Sequence, residues 1–251
     1  MPTVELSDRP RLSILPRRLR ESLAERGAWN TLRRLWRAAG SSLRERRLGI
    51  RTTGSIAGSE LEFDAASFGY QPVPYASFDA AMRHVSLRAG EDVFIDYGCG
   101  MGRAVVLAAT YPFRRVVGVE RSHALSQIAR DNIRRARSKL NCADVTIATA
   151  DAREFEVPDD VTHIFLFNPF DEPIVMAVLR RIHDSITAHP RRLSIIYALP
   201  SCRRDPLVDV PWLVLKHELD TIDSDWQRLA IYETYCLNVR TRIMTVNENP
   251  C

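Results

Sequence analysis

Apolar positions in the first fifty residues recur at helical spacing. Leu15, Leu19 and Leu23 lie one turn apart up to Gly27, with Pro16 suited to a first turn, and Trp29, Leu32, Leu35 and Trp36 form a second stripe up to Gly40. Two short amphipathic helices are predicted there. Between Gly49 and Gly69 the periodicity gives way to glycine, serine and threonine (Thr52-Thr53-Gly54-Ser55, Gly58-Ser59), as in a linker or lid. The stretch Tyr70-Gln71-Pro72-Val73-Pro74-Tyr75 follows. Proline pushes the residue before it away from helical conformations, so this stretch is extended and leads into a helix over about 76–88. From Val93 onward, β-rich runs at 93–97, 115–119, 144–149, 162–167 and 192–199 alternate with helical patterns at 102–111, 122–139 and 172–188. Parallel neighbours need crossover connections, so this alternation predicts a parallel sheet with helices on both faces. Two further β-rich runs, near 212–219 and 229–240, are joined by a polar segment without helical pattern and predict an antiparallel closing hairpin.

The first run ends in Asp96-Tyr97-Gly98-Cys99-Gly100-Met101-Gly102-Arg103. Alternating glycines let a backbone approach a ligand closely, and a helix opening directly afterwards presents N–H groups to it. This predicts a nucleotide-type cofactor. A dinucleotide fingerprint places its third glycine where this chain has Arg103, which ranks a NAD or nucleotide-sugar enzyme last. The second run ends at Glu120, where a carboxylate can accept both hydroxyls of a ribose. The fourth, Thr162 to Phe167, runs into Asn168-Pro169-Phe170 at the carboxyl end of its strand, where open parallel sheets bind ligands. Asn168 can offer an amide oxygen to a nucleophile and Phe170 can wall the site, while His163, inside the strand, is read as packed.

The spacing Asp96-x-Gly98-x-Gly100-x-Gly102 resembles motif I of class I S-adenosylmethionine (SAM) methyltransferases, and the likeness extends over about residues 70–200. It implies an α/β, Rossmann-like, doubly wound sheet of seven strands with the last antiparallel. It also implies SAM as cofactor. Asp96 would orient the glycine turn or the methionine amino group, Gly98, Gly100 and Gly102 would make room for the methionine part, Glu120 would hold the ribose, and Asp151 with the backbone N–H of Ala152 would read adenine. Tyr70, Tyr75 and Asn168 are the candidates to orient the acceptor. Within the class, Tyr75-Ala76-Ser77-Phe78-Asp79, Gly102-Arg103 and Gly118-Val119-Glu120 are most similar to the non-SET, telomeric-silencing-disruptor type of lysine methyltransferase. The Asn168-Pro169-Phe170 turn is shorter than that family's, and it lacks the second proline of amino-group methyltransferases that act on bases and amides. The expected activity is methyl transfer to a nitrogen or oxygen nucleophile, on protein lysine or a small metabolite, with nucleic acid third. A non-catalytic SAM-binding scaffold is the alternative.

Composition changes this picture in two places. Residues 1–51 carry 13 arginines and 5 acids, whereas the remainder is net acidic, so the basicity sits in an N-terminal arm rather than on the sheet. The organisation read from this is a basic helical arm at 1–51, a linker and pre-motif helix at 52–90, and a methyltransferase domain at 91–251. The arm's apolar stripes suit packing on the main domain or a homodimer contact; its arginines leave an acidic partner open. Five cysteines without C-x-x-C spacing suggest neither a disulfide framework nor a metal site. With no run long enough to span a membrane and no secretory pattern, a cytoplasmic protein is expected.

Overall fold

The computed structural model describes residues 40–53, 70–167, 170–200, 204–220 and 227–234. The expected helices over 15–27 and 29–39, linker residues 54–69 and the Asn168-Pro169 pair lie outside the described residues. The chain divides into two compact units, Met1–Arg47 and Leu48–Cys251. In the first, residues 40–47 are helical.

The second unit is built on one seven-stranded sheet. Its strands are β1 (Val93–Tyr97), β2 (Arg115–Glu120), β3 (Asp144–Thr149), β4 (His163–Phe167), β5 (Ser194–Pro200), β6 (Leu213–Asp220) and β7 (Gln227–Thr234), in the order β3-β2-β1-β4-β5-β7-β6. The pairings among β1 to β5 are all parallel, and β7 inserts antiparallel between β5 and β6. This is the predicted class I arrangement, with its last strand reversed. The chain order starts at β1 in the middle of the sheet, moves outward to β3, then returns to β4 beside β1. That reversal leaves a crevice between the carboxyl ends of β1 and β4, where such sheets hold ligands.

Among the described residues, the helices over the sheet are α1 (Tyr75–Met82), α2 (Arg103–Ala109), α3 (His123–Ala136) and α4 (Glu172–Ala188). Strands β1 and β4 are covered on both faces, which is why they read as continuous apolar runs rather than alternating ones. On one face Phe94 and Phe165 pack with Phe78 of α1, Val105 of α2 and Ala129 and Ile133 of α3. On the other, Ile95, Tyr97, Ile164 and Leu166 meet the stripe Val175, Val178, Leu179 and Ile182 of α4. Local chemistry sets the helix ends. The Ser122 hydroxyl caps α3 by accepting from the Leu125 N–H, and Arg134 and Arg135 lie in its last turn, where the helix dipole favours cations. Pro173 and Glu172 open α4 as their positions suggest.

Two elements differ from expectation. The helix predicted over 76–88 stops at Met82, because the chain must turn so that the Ser86 carbonyl meets Nε2 of the buried His163 at 3.0 Å. Residues 137–139 tighten from α to a 3₁₀ turn at the end of α3. The final strand is described from Gln227 to Thr234, and the remaining expected residues, 235–240, are not described.

Candidate cofactor and acceptor site

The register of the central strands decides what surrounds the glycine turn. Asp96 sits opposite Gly118 of β2 on one side and Phe165 of β4 on the other. In-register residues share a face, so the Asp96 carboxyl is confined between an aromatic ring and a position without a side chain. A Cβ on Gly118 would come within 2.7 Å of Cys99 Sγ, so the glycine in β2 is what lets the turn fold down onto the sheet. Asp96 is 3% exposed. Burial, and then the nearby Glu120 charge, push its pKa up to about 8, with no cation among the described residues to offset them.

The turn itself runs through left-handed backbone at Gly98, Gly100 and Gly102, with φ of 74°, 54° and 80°. Gly100 is the most constrained, because a side chain there would overlap the ring of Tyr70. The turn is pinned to β2 by the N–H groups of Gly98 and Cys99, which both donate to the Val119 carbonyl at 2.8 and 3.0 Å. Glu120, 5% exposed, accepts from the N–H of Gly100 at 2.9 Å and of Ser122 at 2.8 Å. Burial raises its pKa, and those backbone hydrogen bonds hold the rise back. Each carboxylate oxygen keeps a second lone pair, so this anchoring leaves capacity to accept a hydroxyl. The Cys99 thiol is pushed well up by burial and then by the Asp96 and Glu120 charges, which makes it an inert packing group.

Tyr70, Gln71, Pro72 and Val73 form one wall of an open pocket of about 290 Å³ whose other wall is Asp96, Gly98, Cys99, Arg103, Ala104, Phe165 and Phe167. The rings of Phe165 and Phe167 are parallel within 3°, centroids 6.2 Å apart. The structure thus brings Tyr70, Asp96 and Gly98 to one cavity. Tyr75 does not line it: its ring lies behind, 4.7 Å from the Arg103 guanidinium. Asp151 follows the end of β3, which is next to β2, and Ala150 links the two strand ends by donating its N–H to the Glu120 carbonyl. The Asp151 carboxylate is held by the Arg153 guanidinium at 2.6 and 3.0 Å, and these hydrogen bonds lower its pKa. Ala152 is buried against the α4-side core, and Phe170 packs toward that same face rather than into the pocket, because it falls beyond the end of β4. His163 is packed, with Nδ1 2.9 Å from the Thr162 hydroxyl.

Sequence reasoning missed the role of Arg103. The guanidinium is buried and donates to Thr52 Oγ1 (2.7 Å), the Val73 carbonyl (3.0 Å) and Thr53 Oγ1 (3.2 Å). A signal was present: Arg103 is the only charge in the α2 sequence RAVVLAA, and a charge opening a buried helix must find partners. Asn132 was also missed. Fully buried in α3, it exchanges two hydrogen bonds with the Arg51 backbone and a third with the Met101 carbonyl, tying the 50–53 segment to the glycine turn.

The site suits a cationic nucleotide-like ligand: among the described residues no cation offsets the buried Asp96 and Glu120, and the side-chain-free turn offers a cradle. SAM carries an ammonium and a sulfonium. No group of three or more His, Cys, Asp or Glu able to hold a metal occurs among the described residues, and no helix among them is long and apolar enough to cross a membrane.

Residues 94–188 match the methyltransferase domain family. No curated protein sequence matches the chain. Among solved structures the chain resembles a Haemophilus influenzae protein itself only proposed to be a methylase, with TM-score 0.50 and 14% identity over 72% of this chain and 99% of that one. It also resembles a Salinibacter ruber RNA methyltransferase crystallised with S-adenosyl-L-homocysteine (SAH), at 0.45 and 20% over 66% and 94%. A third is a SAM-dependent methyltransferase from Aquifex aeolicus, at 0.47 and 15% over 63% and 89%. At such identities the likeness is one of fold. The family match runs from β1 to the end of α4 and so contains the glycine turn, Asp96 and Glu120, and over those residues the chain carries a SAM-dependent methyltransferase domain.

Proposed function

We propose that the protein transfers the methyl group of SAM to a nitrogen or oxygen nucleophile entering between the Tyr70–Val73 wall and Phe165 and Phe167. The observation that carries this reading is the pocket itself, which opens at the carboxyl ends of β1 and β4 and contains both Asp96 and an aromatic pair. In this assignment Asp96 faces the cofactor's amino-acid end, Glu120 its ribose, and Asp151 with the Ala152 N–H its adenine. When bound, SAM supplies a methyl group that is already electrophilic. The protein's task is then to align the acceptor and exclude water, and such alignment contributes roughly 7–11 kcal/mol. Apolar walls formed by Pro72, Val73 and the two phenylalanines suit the aliphatic arm of an amine, and Tyr70 and Asn168 are assigned to orient its reacting atom. Tyr75 acts behind this wall, through Arg103.

Two acceptor classes follow, protein lysine and a small metabolite. The Gly102-Arg103 likeness to non-SET lysine methyltransferases supports the first. We assign the 1–51 arm an accessory role, as a homodimer contact, and place the chemistry in the cytoplasm, consistent with the free buried thiols Cys99 and Cys142. The test is incubation with methyl-labelled SAM and a panel of proteins, amine metabolites and RNA, followed by mass spectrometry of the labelled fraction. Label on a nitrogen or oxygen of protein or metabolite supports the reading; label confined to RNA, or on carbon or sulfur, overturns it. Asn168→Ala is expected to lower kcat about 10- to 100-fold with the SAM affinity retained.

A further inference from the structure

The wall formed by Tyr70–Val73 and the 50–53 segment lie outside the seven strands of the sheet, yet residues of both are buried: Ile50 is 3%, Thr52 0% and Val73 3% exposed. Asn132 holds the Arg51 backbone, and Arg103 holds both segments at once. Arg103 leaves the first position of α2, beside the glycine turn, and reaches both legs of this strap. Its Nε and Nη2 donate to the hydroxyls of Thr52 and Thr53 on one leg, its Nη1 donates to the Val73 carbonyl on the other, and its guanidinium lies over the Tyr75 ring. Tyr70 then crosses between the legs by donating its hydroxyl to the Thr52 carbonyl at 2.8 Å, with its ring against Gly100. A planar fork with several fixed donors can satisfy acceptors in three directions at once, which an ammonium on a flexible stem does not.

We propose that Arg103 is a positioning residue that latches the 50–53 and 70–75 legs together, and thereby holds Tyr70 against the glycine turn and sets the shape of the pocket that takes the methyl donor. The latch rests on the assignment of the cofactor to this turn. Arg103 acts through the strap, so cutting the acceptor hydroxyl on Thr52 weakens donor binding although Thr52 itself does not line the pocket. A simple packing role for Arg103 would instead lower thermal stability and leave the affinity of the folded protein unchanged.

The experiment is calorimetric titration of the full chain with SAH, with amide hydrogen exchange of the strap peptides in parallel. Thr52→Val keeps the shape and removes the hydroxyl; Thr52→Ser keeps the hydroxyl. The latch predicts that Thr52→Val and Arg103→Lys each weaken SAH binding about tenfold and speed exchange at 70–75, while Thr52→Ser restores near-wild-type values. Should Arg103→Lys fail to fold, the valine and serine pair at Thr52 decides. SAH bound equally by wild type and Thr52→Val overturns the latch and leaves the cofactor assignment standing. Wild-type protein that does not bind SAH overturns the assignment and the latch with it.

Discussion

Asp92 and Asp96 stand four positions apart at the two ends of the same strand, and they are 2% and 3% exposed, yet they ionise in opposite directions. At Asp92 burial raises the pKa, but hydrogen bonds from the Arg88 backbone (2.6 Å) and guanidinium (2.7 and 3.1 Å) more than offset it. At Asp96 burial has no such opponent, and the Glu120 charge adds to it. The contrast extends to the surroundings. Near the amino end, Asp160 is bridged by Arg114 and Arg115, and Arg191 is saturated by carbonyls of Pro158, Val161, Ser185 and His189. Near the carboxyl end, Glu120 accepts from the backbone N–H groups of Gly100 and Ser122. Fully paired groups stabilise a fold; a buried acid left unpaired costs stability and is retained where a ligand completes it.

The largest test of this contrast is Asp96→Asn. The substitution should reduce SAH affinity at least about 100-fold by removing the anion that meets the ligand's ammonium, while raising the melting temperature of the cofactor-free protein on the order of 5 °C at pH 8. The sign follows from linkage. An unfolded aspartate ionises near 3.9, about the value at which its contribution begins to fall, and the folded group holds its proton to about 8, so stability is lost as pH rises between them and asparagine escapes that loss. Scanning fluorimetry with and without SAH measures both effects, and a variant that melts lower yet binds normally breaks the comparison.

The same carboxyl makes cofactor binding proton-linked. Below about 8 the ligand must expel the Asp96 proton, so SAH affinity rises with pH by up to roughly tenfold per unit and levels off above it. A flat titration between pH 6 and 8 in wild type would show that Asp96 is already ionised.

Gly100→Ala places a Cβ against the Tyr70 ring in left-handed backbone and is expected to cost about 1–3 kcal/mol together with SAH affinity, read by denaturant unfolding and calorimetry. At the other end Asp92→Asn should cost about 1–3 kcal/mol, nearer the low value because Arg88 is largely exposed, and leave SAH affinity unchanged. Its folded pKa is lowered, so the Asp92 contribution is present above the unfolded value near 3.9 and disappears as pH falls through the folded one; the difference between wild type and variant should therefore vanish in acid. The smallest effect is at Cys99, where alkylation of the folded protein should be slower than that of a free thiol and Cys99→Ala should bind SAH as wild type does.

How far the sequence reaches is visible in particular elements. The runs at 93–97 and 144–149 coincide with β1 and β3, and the pattern at 172–188 with α4, because apolar periodicity follows directly from covalent spacing. The helix over 76–88 was overextended, since its end is fixed by a carbonyl reaching a histidine on a distant strand. At the site, the glycine turn and the strand-end acid Glu120 stood out because their spacing is local. The Arg103 latch did not, since Thr52, Val73 and Tyr75 become its partners only when the strap returns to α2.

By itself, then, the sequence determined the order and type of the elements and the crossover topology they require. Only the tertiary structure decided that Asp92 and Asp96 shift in opposite directions. Backbone periodicity is written into neighbouring residues, whereas desolvation and countercharge depend on which other segments surround a group. For Asp92 a nearby turn supplied a guanidinium. For Asp96, parallel pairing with Gly118 and Phe165 removed water and brought up no cation among the described residues, leaving its carboxyl raised in pKa.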